Sequence, residues 1–492
     1  DSVASRGLGD VYKRQVWSIV PNYPPKIRLP EGRWTTIEYV VTNNMKQSKT
    51  LEWKAISGVT QVFNGSFCGQ TFTLGAGKSC VLSLKVTYDD IPVGGINSPI
   101  EICTTDNMLC AKTADQLVAV KENLVGGGSS EGKILILSDI HYNSLSASAP
   151  GQYQNTTYPT GNESNPNNDP NQGMIDNFIL QAVQTANQGG PPDFVMINGD
   201  FLAHGLVYSG SSCQNVCVQE TIKYPLQQIW KADGGVLNKI PIYPAVGNND
   251  SYIGDYQISS TNSFYSDVGG IFSRYAIPED VVAQATFAAN FNQNWANYTV
   301  DIPTTCSIPG VCQKLIVLNT VPYSNREEEL KCNGTLPGCS TFRKKTKDFV
   351  NAQIASQTPI IVSMHIAYSE NFGAKTTETD NELSSTSLFS KCSSSNPTCA
   401  GQIWAGHWHW FSTPPGVPTY TENNPTLNTY LAPSVTPRKG AIPGFLIVTY
   451  NRSSGKMTNI KLYNVPNYAS VLAGKPLTTP IPFTVTSYNN IS

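Results

Sequence analysis

The sequence lacks several features that would place it in common classes of protein. Its 492 residues contain no run of 18 apolar residues, so no transmembrane helix is predicted. Charged residues make up 14% and the formal net charge is −2, which argues against a protein that grips nucleic acid through its phosphate backbone. No Cys-x-x-Cys knuckle occurs, which argues against a zinc ribbon. The length suits two or three domains.

No signal peptide is visible at the start of the chain. Asp10–Gln15, DVYKRQ, matches the translation of a transposon end that is used to prepare sequencing libraries. We therefore interpret residues 1–15 as a sequence-assembly artefact that replaces the true N-terminus, and exclude them from the fold prediction.

The chain does have an even number of closely spaced cysteines. They fall into six pairs: Cys68/Cys80, Cys103/Cys110, Cys213/Cys217, Cys306/Cys312, Cys332/Cys339 and Cys392/Cys399. Such pairs predict small local disulfides, although connectivity does not follow from sequence alone. Because disulfides persist in oxidising compartments, we expect a secreted or periplasmic protein.

Residues 16–124 have the pattern of an all-β domain. Short β-rich runs, among them Thr35–Thr42, Leu51–Val59 and Cys80–Tyr88, are separated by Gly, Asn and Pro turns, which predicts a sandwich. With its two cysteine pairs, this region resembles the immunoglobulin-like N-terminal domains of bacterial surface and exported proteins. A Gly/Ser-rich linker follows at residues 125–132, and a second domain is predicted at residues 133–492.

The second domain contains five strand-like runs that each end in polar residues able to bind a metal. Lys133–Leu137 is a short apolar run, and the spacing of Asp139 and His141 after it would put both side chains on one side of an extended chain. The other runs end in Gly-Asp with His204 four residues on, in Gly-Asn-Asn-Asp, in His365, and in Gly-His-Trp-His. A single Asp-x-His is more often a cap beside a structural histidine. Five such endings favour a ligand site, because α/β sheets hold ligands at the carboxyl ends of their strands.

Helical periodicity lies between these runs. Apolar residues within Met174–Asn187 recur with helical spacing, so strand, loop, helix and strand predict a βαβ unit. Further helices are predicted at Ile222–Leu237, Val281–Trp295 and Phe342–Gln357.

The order of the motifs, Asp-x-His, Gly-Asp, Gly-Asn-x-Asp, a lone His and Gly-His-x-His, resembles the calcineurin-like metallophosphoesterases from Lys133 to Tyr450. The resemblance implies an α/β domain, a four-layer α/β/β/α sandwich, with two divalent metal ions. Carried over motif by motif, it gives Asp139, His141 and His409 to the first metal, Asp200 to a bridge, and Asn248, His365 and His407 to the second. Zinc is the first choice of metal, and manganese or iron accept the same ligands.

Two motifs resemble the acid-sphingomyelinase-like branch of that family. They are GDFLAH, which ends in His204, and the APSVTP run at Ala432–Pro437. Most of the family has a histidine, the usual proton donor to the leaving group, where this chain has Asn249, and Gly-Asn-Asn-Asp is similar to endopolyphosphatases. The resemblance therefore implies that His204 donates the proton, while Asn249 hydrogen-bonds a phosphoryl oxygen.

The expected function is that of an exported phosphodiesterase that uses a metal-bridging hydroxide. Its substrate would be a phosphoester small molecule, a lipid headgroup or polyphosphate. Trp408 could stack on a base or receive a choline cation, although tryptophans in such positions more often pack under the sheet. A polyphosphatase, a phosphomonoesterase or nucleotidase, and a catalytically weak surface-binding protein on the same fold stay open as alternatives.

Overall fold

The computed structural model divides the chain into two compact units, one formed mainly by residues up to Gly127 and one that begins at Gly128. The residues that it describes are 16–21, 25–29, 34–63, 67–121, 131–146, 149–150, 158–159, 169–204, 214–232, 240–253, 263–277, 281–302, 313–321, 338–354, 360–366, 401–407, 409, 427–437, 441–452 and 457–489. The predicted artefact at residues 1–15 and the predicted substrate contact Trp408 lie outside these ranges.

The first unit consists of strands wherever the structure describes regular elements in it. In chain order they are β1 (Trp17–Pro21), β2 (Lys26–Leu29), β3 (Trp34–Asn43), β4 (Lys49–Trp53), β5 (Val59–Val62), β6 (Thr71–Leu74), β7 (Ser79–Thr87), β8 (Ile96–Thr104) and β9 (Cys110–Lys121). One sheet has the order β1-β3-β7-β5, and the other has the order β2-β9-β8-β4-β6.

The side chains of these sheets alternate between the core and the surface. Along β3 every second residue is buried, as the period of two of a strand requires. Trp17, Tyr39 and Leu84 from one sheet join Ile102 and Leu117 from the other in one apolar core. The predicted all-β sandwich is confirmed, whereas its immunoglobulin-like character stays a prediction.

One predicted strand of the first unit is wrong in its extent. The pattern of Leu51–Val59 predicts a single strand. In the structure β4 ends at Trp53, and β5, which begins at Val59, belongs to the other sheet. Gly58, between them, has a φ of +81°, and a Cβ atom there would lie 2.5 Å from the carbonyl oxygen of Asp90. The turn requires glycine at this point, and it separates the two strands.

Two of the six predicted disulfides are present between described residues. They join Cys68 to Cys80 and Cys103 to Cys110. Cys217 is disulfide-bonded as well, and the other predicted pairs involve residues outside the described ranges.

The second unit combines thirteen strands with six helices among the described residues. The strands are β10 (Glu131–Leu137), β11 (Leu145–Ser146), β12 (Ala149–Pro150), β13 (Phe194–Ile197), β14 (Ile242–Pro244), β15 (Tyr298–Ile302), β16 (Gln313–Leu318), β17 (Ile360–Met364), β18 (Gly401–Ala405), β19 (Leu427–Leu431), β20 (Gly444–Asn451), β21 (Met457–Asn464) and β22 (Thr484–Asn489). The helices are α1 (Gln172–Ala186), α2 (Gln214–Ala232), α3 (Phe264–Tyr275), α4 (Val281–Gln293), α5 (Gly338–Ile354) and α6 (Tyr468–Val471). The α/β class predicted for this region is confirmed.

Two large mixed sheets form the frame of the second unit. The first has the order β14-β13-β10-β20-β21-β22, in which β10, β13 and β14 run parallel. The second has the order β15-β16-β17-β18-β19, in which the strands from β16 onward run parallel. The parallel strands β10, β13, β14, β17 and β18 are those whose carboxyl ends carry the predicted ligands.

The predicted βαβ unit is confirmed as β10, α1 and β13. Asn171 caps α1 by accepting the N–H of Met174 at 2.9 Å, and the helix buries Ile175 and Phe178 on one face. At the other end of α1, the Lys133 ammonium donates to the carbonyl oxygen of Ala186 at 2.7 Å. These contacts hold the helix beside the strand that leads into the site.

Three features differ from the sequence pattern. Helix α2 begins at Gln214 rather than Ile222, because the apolar residues of its first turns, Val216–Val218, are consecutive and do not recur with helical spacing. Helix α3 was not predicted from the sequence, because it contains the Gly269-Gly270 pair and glycine is unfavourable inside helices. A Cβ on Gly269 would lie 3.0 Å from Phe291 of α4, so the close packing of the two helices requires glycine there. Gly132 belongs to β10 and not to the linker, and a Cβ there would lie 2.5 Å from the ring of Tyr450. No helix in the described ranges is long and apolar enough to cross a membrane.

Candidate metal centre

The predicted ligand segments meet at the carboxyl ends of the parallel strands β10, β13, β14, β17 and β18. Backbone hydrogen bonds join these segments directly to one another. The N–H of Asp139 donates to the carbonyl oxygen of Gly199 at 3.2 Å, and that of His141 donates to the carbonyl oxygen of Asp200 at 2.9 Å. The N–H of Gly406 donates to the carbonyl oxygen of His365 at 2.9 Å. The positions of the ligands are therefore fixed by the backbone as well as by their side chains.

Five of the ligand residues have left-handed backbone angles. The φ values are +48° for Asp139, +43° for His141, +54° for Asp200, +75° for His407 and +58° for His409. Asp139 and His141 therefore do converge, but not through the extended backbone that their spacing suggests. Left-handed angles are unfavourable for residues other than glycine, and they concentrate at functional sites.

Three glycines allow the segments to pack closely behind the ligands. A Cβ on Gly247 would lie 2.1 Å from a carboxylate oxygen of Asp200, and one on Gly406 would lie 2.8 Å from a carboxylate oxygen of Asp139. A Cβ on Gly199 would lie 2.8 Å from Nδ1 of His365. The glycines of the Gly-Asp, Gly-Asn and Gly-His motifs are thus required by close approach to the ligands.

Asp139, His141, His409 and Asp200 form the first group of candidate ligands. Nε2 of His141 lies 3.0 Å from Nε2 of His409 and 3.4 Å from Oδ2 of Asp200. Nε2 of His409 lies 3.4 Å from Oδ1 of Asp139. Nδ1 of His141 lies 2.9 Å from the carbonyl oxygen of Leu202, which can only accept, so this nitrogen carries the ring proton. Nε2 of His141 is therefore left as an acceptor that faces the group.

The second group consists of Asp200, His365 and His407, each of which offers one ligand atom within 4.8 Å of the others. Nε2 of His365 lies 3.2 Å from Oδ2 of Asp200 and 2.8 Å from Oδ1 of Asn248. Its Nδ1 donates to the carbonyl oxygen of Asn198 at 2.7 Å, which orients the ring as such contacts do for metal-binding histidines. Asp200 faces both groups.

The ionisable groups of the centre have displaced pKa values. Burial, together with the charge of Asp200, raises the pKa of Asp139 to about 7. Burial alone would raise the pKa of Asp200 as well, but the charges of His365 and His141 lower it well below its usual range. Burial works against the charged form of His365, yet Asp200 raises its pKa to about 9. Burial and the neighbouring His204 lower the pKa of His141 well below the ordinary value.

These residues fit two divalent cations. The first group brings two imidazole nitrogens to 3.0 Å of each other, so either a proton or a cation has to lie between them. The sites combine carboxylate oxygens, an amide oxygen and imidazoles, which zinc, manganese and iron accept. A further group, Glu101 with Cys103 and Cys110, is not a metal site, because the two cysteines form a disulfide.

The two predicted substrate-facing residues lie beside the ligands. The His204 ring stacks on the His141 ring with centroids 3.8 Å apart and planes 20° apart, and 15% of its side chain is exposed. The side-chain amide of Asn249 donates to Oδ2 of Asp200 at 2.8 Å, and its backbone N–H donates to Oδ1 at 2.9 Å. Asn249 thus contacts the carboxylate that the two groups share.

Sequence reasoning assigned no role to two buried aspartates that support the centre. Asp250 accepts the backbone N–H groups of Phe201 at 2.8 Å, Leu202 at 3.1 Å and Gly247 at 2.8 Å, so it fixes the loops on both sides of Asp200. Burial and the charge of Asp200 raise its pKa to about 7. The sequence feature that could have identified Asp250 is its place at the end of the Gly-Asn-Asn-Asp motif. The other is Asp169, which contacts His204. The sequence around Asp169 is polar and has no apolar period, so no pattern distinguished this residue.

Comparisons with known proteins agree with this centre at the level of the family. A family model described as calcineurin-like phosphoesterase matches residues 132–410, which is more than half of the chain. No curated protein matches the sequence.

Three solved structures show weak similarity. A putative 5'-nucleotidase from Staphylococcus aureus, in complex with alpha-ketoglutarate, is 11% identical over 68% of this chain and 54% of that chain, with a TM-score of 0.29. A FixG-related protein from Vibrio parahaemolyticus is 13% identical over 21% of this chain and 94% of that chain, with a TM-score of 0.16. The periplasmic chaperone SfaE is 15% identical over 22% of this chain and 61% of that chain, with a TM-score of 0.15.

The chain spans about half of the length of that nucleotidase. The TM-scores are too low for any of the three structures to inform the function of this chain.

Proposed function

The chain belongs to the calcineurin-like phosphoesterase family, and on this premise we propose that it is an exported two-metal phosphodiesterase of the acid-sphingomyelinase-like type. Membership makes it a metal-dependent phosphoester hydrolase that acts on small phosphoesters. The diester preference, the branch and the export are the parts that we propose. We also propose that the domain boundaries follow the sequence pattern except at the end of the linker, where β10 begins at Glu131, with an immunoglobulin-like N-terminal domain that serves as a spacer or attachment module.

The observation that carries the proposal is that Asp200 faces two groups of buried ligands at once. Its Oδ2 lies 3.4 Å from Nε2 of His141 and 3.2 Å from Nε2 of His365. We assign Asp139, His141 and His409 to one cation, Asn248, His365 and His407 to the other, and Asp200 to both. Two cations bound there supply a water of lowered pKa and neutralise charge on the phosphoryl oxygens.

His204 is the residue that we assign to protonate the leaving oxygen. It adjoins the first group, because its ring stacks on that of His141. It is also partly exposed, whereas His141 is fully buried, so a substrate can reach it. Asn249 supplies no proton at neutral pH, and its amide is held against Asp200. General-acid catalysis of this kind contributes about 10²–10⁴-fold.

The APSVTP run supports the assignment to the sphingomyelinase-like branch. In this chain it braces the loop that carries the first two ligands. The N–H of Val435 donates to the carbonyl oxygen of Ser138 at 2.9 Å, and that of Thr436 donates to the carbonyl oxygen of Asp139 at 3.2 Å. The disulfides of the first unit support export, because such bonds persist in oxidising compartments.

The test compares hydrolysis of bis(4-nitrophenyl) phosphate with that of 4-nitrophenyl phosphate, with and without a chelator. We expect turnover of the diester to exceed that of the monoester and to disappear on chelation. Asp193→Asn is a matched control, since this aspartate pairs with Arg452 at the amino end of β13, away from the ligands. A parent protein that binds metal and cleaves neither ester would contradict the proposal.

A polyphosphatase or nucleotidase is the second candidate, and the place of Asn249 favours it. Where a histidine would donate a proton, this chain holds an amide against Asp200. Phosphoanhydrides have good leaving groups and need little protonation. Release of phosphate from polyphosphate or nucleotides at a higher kcat/KM than the diester would favour this candidate.

A further inference from the structure

His204 is held by a buried carboxylate that neither the sequence motifs nor the family match assigns. Oδ1 and Oδ2 of Asp169 lie 3.2 Å and 3.1 Å from Nδ1 of His204. Oδ2 also accepts the backbone N–H of His204 at 2.8 Å. The Asp169 side chain is fully buried. A single carboxylate therefore fixes both the backbone and the ring of His204.

The same carboxylate links His204 to the loop of the first ligands. The hydroxyl of Thr436 donates to Oδ1 of Asp169 at 3.2 Å. The backbone N–H of Thr436 donates to the carbonyl oxygen of Asp139 at 3.2 Å. Any displacement of the His204 ring relative to the first ligand group would thus break contacts of Asp169.

The contact also selects the tautomer of His204. An ionised carboxylate can only accept hydrogen bonds, so Nδ1 of His204 carries a proton. Nε2 is then the ring nitrogen that is left to face a substrate. A carboxylate that orients a histidine through Nδ1 and leaves Nε2 for chemistry is the arrangement found in the serine-protease triad.

We propose that Asp169 is a positioning residue, which holds the His204 ring so that Nε2 faces the leaving oxygen of a phosphodiester. The inference rests on the proposed function, in which His204, protonated on both ring nitrogens, gives its Nε2 proton to that oxygen as the bond from oxygen to phosphorus breaks and becomes the neutral Nδ1–H form. Asp169 acts through His204 and touches neither the substrate nor the metals.

Asp169→Asn is the variant that tests the tautomer. The asparagine oxygen can still accept the backbone N–H of His204, and its NH₂ group then faces Nδ1 and requires that nitrogen to accept. The chain has only five histidines, so selective ¹⁵N-histidine labelling of the zinc-loaded protein resolves them, with His204→Ala to assign the signal. For the neutral ring, we expect the Nδ1–H form in the parent and the Nε2–H form in Asp169→Asn.

The kinetic test compares a 4-nitrophenyl diester, which has a good leaving group, with an unactivated phenyl diester. Asp169→Asn is expected to lower kcat/KM for the phenyl ester about 10–100-fold and that for the 4-nitrophenyl ester much less, since only the former needs a proton donor. The double variant Asp169→Asn/His204→Ala is expected to be no slower than His204→Ala alone. Asp193→Asn is the control, and metal content is measured for every variant.

Three results would overturn the proposal: an equal loss for both leaving groups, an additive loss in the double variant, or a loss of metal from Asp169→Asn. An Nε2–H tautomer in the parent would overturn it as well. A parent with the Nδ1–H tautomer that hydrolyses no ester would refute the proposed function and support the pairing of Asp169 with His204.

Discussion

A buried asparagine of the first unit and the buried ligand residues of the second unit differ in the groups that they face. In the first unit, the side-chain amide of Asn43 donates to the carbonyl oxygens of Gln47 and Leu74 at 2.9 Å, and its oxygen accepts the N–H of Met45 at 2.9 Å. Each of these donors meets an acceptor. In the second unit, His141 and His409 bring their Nε2 atoms to 3.0 Å of each other beside two carboxylates.

This contrast separates structure from function. A satisfied polar group stabilises its own unit, and its removal leaves partners unpaired. A concentration of buried carboxylates and imidazole nitrogens carries a cost of burial that protons or bound cations offset. Variants of Asn43 or of the Cys68–Cys80 disulfide should therefore change stability, and variants of the ligand residues should change activity.

The largest expected effect is on activity, in Asp200→Ala. Loss of the shared carboxylate removes a ligand from both groups, and metal assistance is worth several kcal/mol, about 1.4 kcal/mol per factor of ten. We expect kcat/KM for the diester to fall by about 10³-fold or more. Asn43→Ala serves as the reciprocal control with unchanged kcat/KM, and a Asp200→Ala protein of near-normal activity would refute the shared ligand.

Removal of the disulfide between Cys68 and Cys80 is expected to have a smaller effect, which concerns stability alone. The bond closes a loop with a sequence separation of 12, and the chain-entropy model gives about 3 kcal/mol for such a loop. The double variant Cys68→Ala/Cys80→Ala should lose about this much in chemical denaturation of the first unit. Diester hydrolysis should stay at the parent rate, and a parallel loss of activity would contradict the separation of roles.

Asn43→Ala should destabilise the first unit by about 2 kcal/mol, since it leaves buried backbone groups without their partners. Denaturant unfolding followed by the fluorescence of Trp17 and its neighbours measures this change. Thr50→Ala is the control, because the Thr50–Thr73 hydroxyl pair is exposed. An equal, small effect of both variants would show that the Asn43 contacts contribute little.

The smallest expected effect is the change in metal affinity for each pH unit. The pKa of Asp139 is raised to about 7 by burial, and that of His365 to about 9 by Asp200 against the effect of burial. Each proton that a cation displaces weakens binding about tenfold, or about 1.4 kcal/mol, for every pH unit below its pKa.

Affinity for zinc should therefore fall with a slope of one between about pH 9 and about pH 7 through the proton of His365, and with a slope of two below about pH 7, where Asp139 adds a second proton. Titration calorimetry across this range measures the slopes. A metal affinity that does not change with pH would refute the assignment of Asp139 and His365 as ligands.

Much of this architecture follows from the sequence. Apolar runs with polar endings predicted the parallel strands, and helical spacing predicted α1 with only small errors at its ends. The order of five motifs was enough to predict the α/β class and the family. These predictions succeeded because strand ends and amphipathic faces are local properties of the chain.

Other features depend on contacts between distant residues and could not be predicted. Asp169 meets His204 and Thr436 only in the folded chain. Asp139 and His141 converge through left-handed backbone angles and backbone hydrogen bonds to Gly199 and Asp200, and not through the extended chain that their spacing predicts. The two glycines of α3 lower its helix propensity, so the helix was not predicted from the sequence, and packing against α4 maintains it in the structure.

The central claim is that the second unit holds two divalent cations through a shared Asp200. The most direct test is the metal content of the full chain, measured by inductively coupled plasma mass spectrometry after loading with zinc or manganese and removal of free metal, for the parent and for Asp200→Ala. We expect two ions per parent chain and a loss of bound metal in the variant. A parent chain that retains no metal, or a variant that retains both ions, would contradict it.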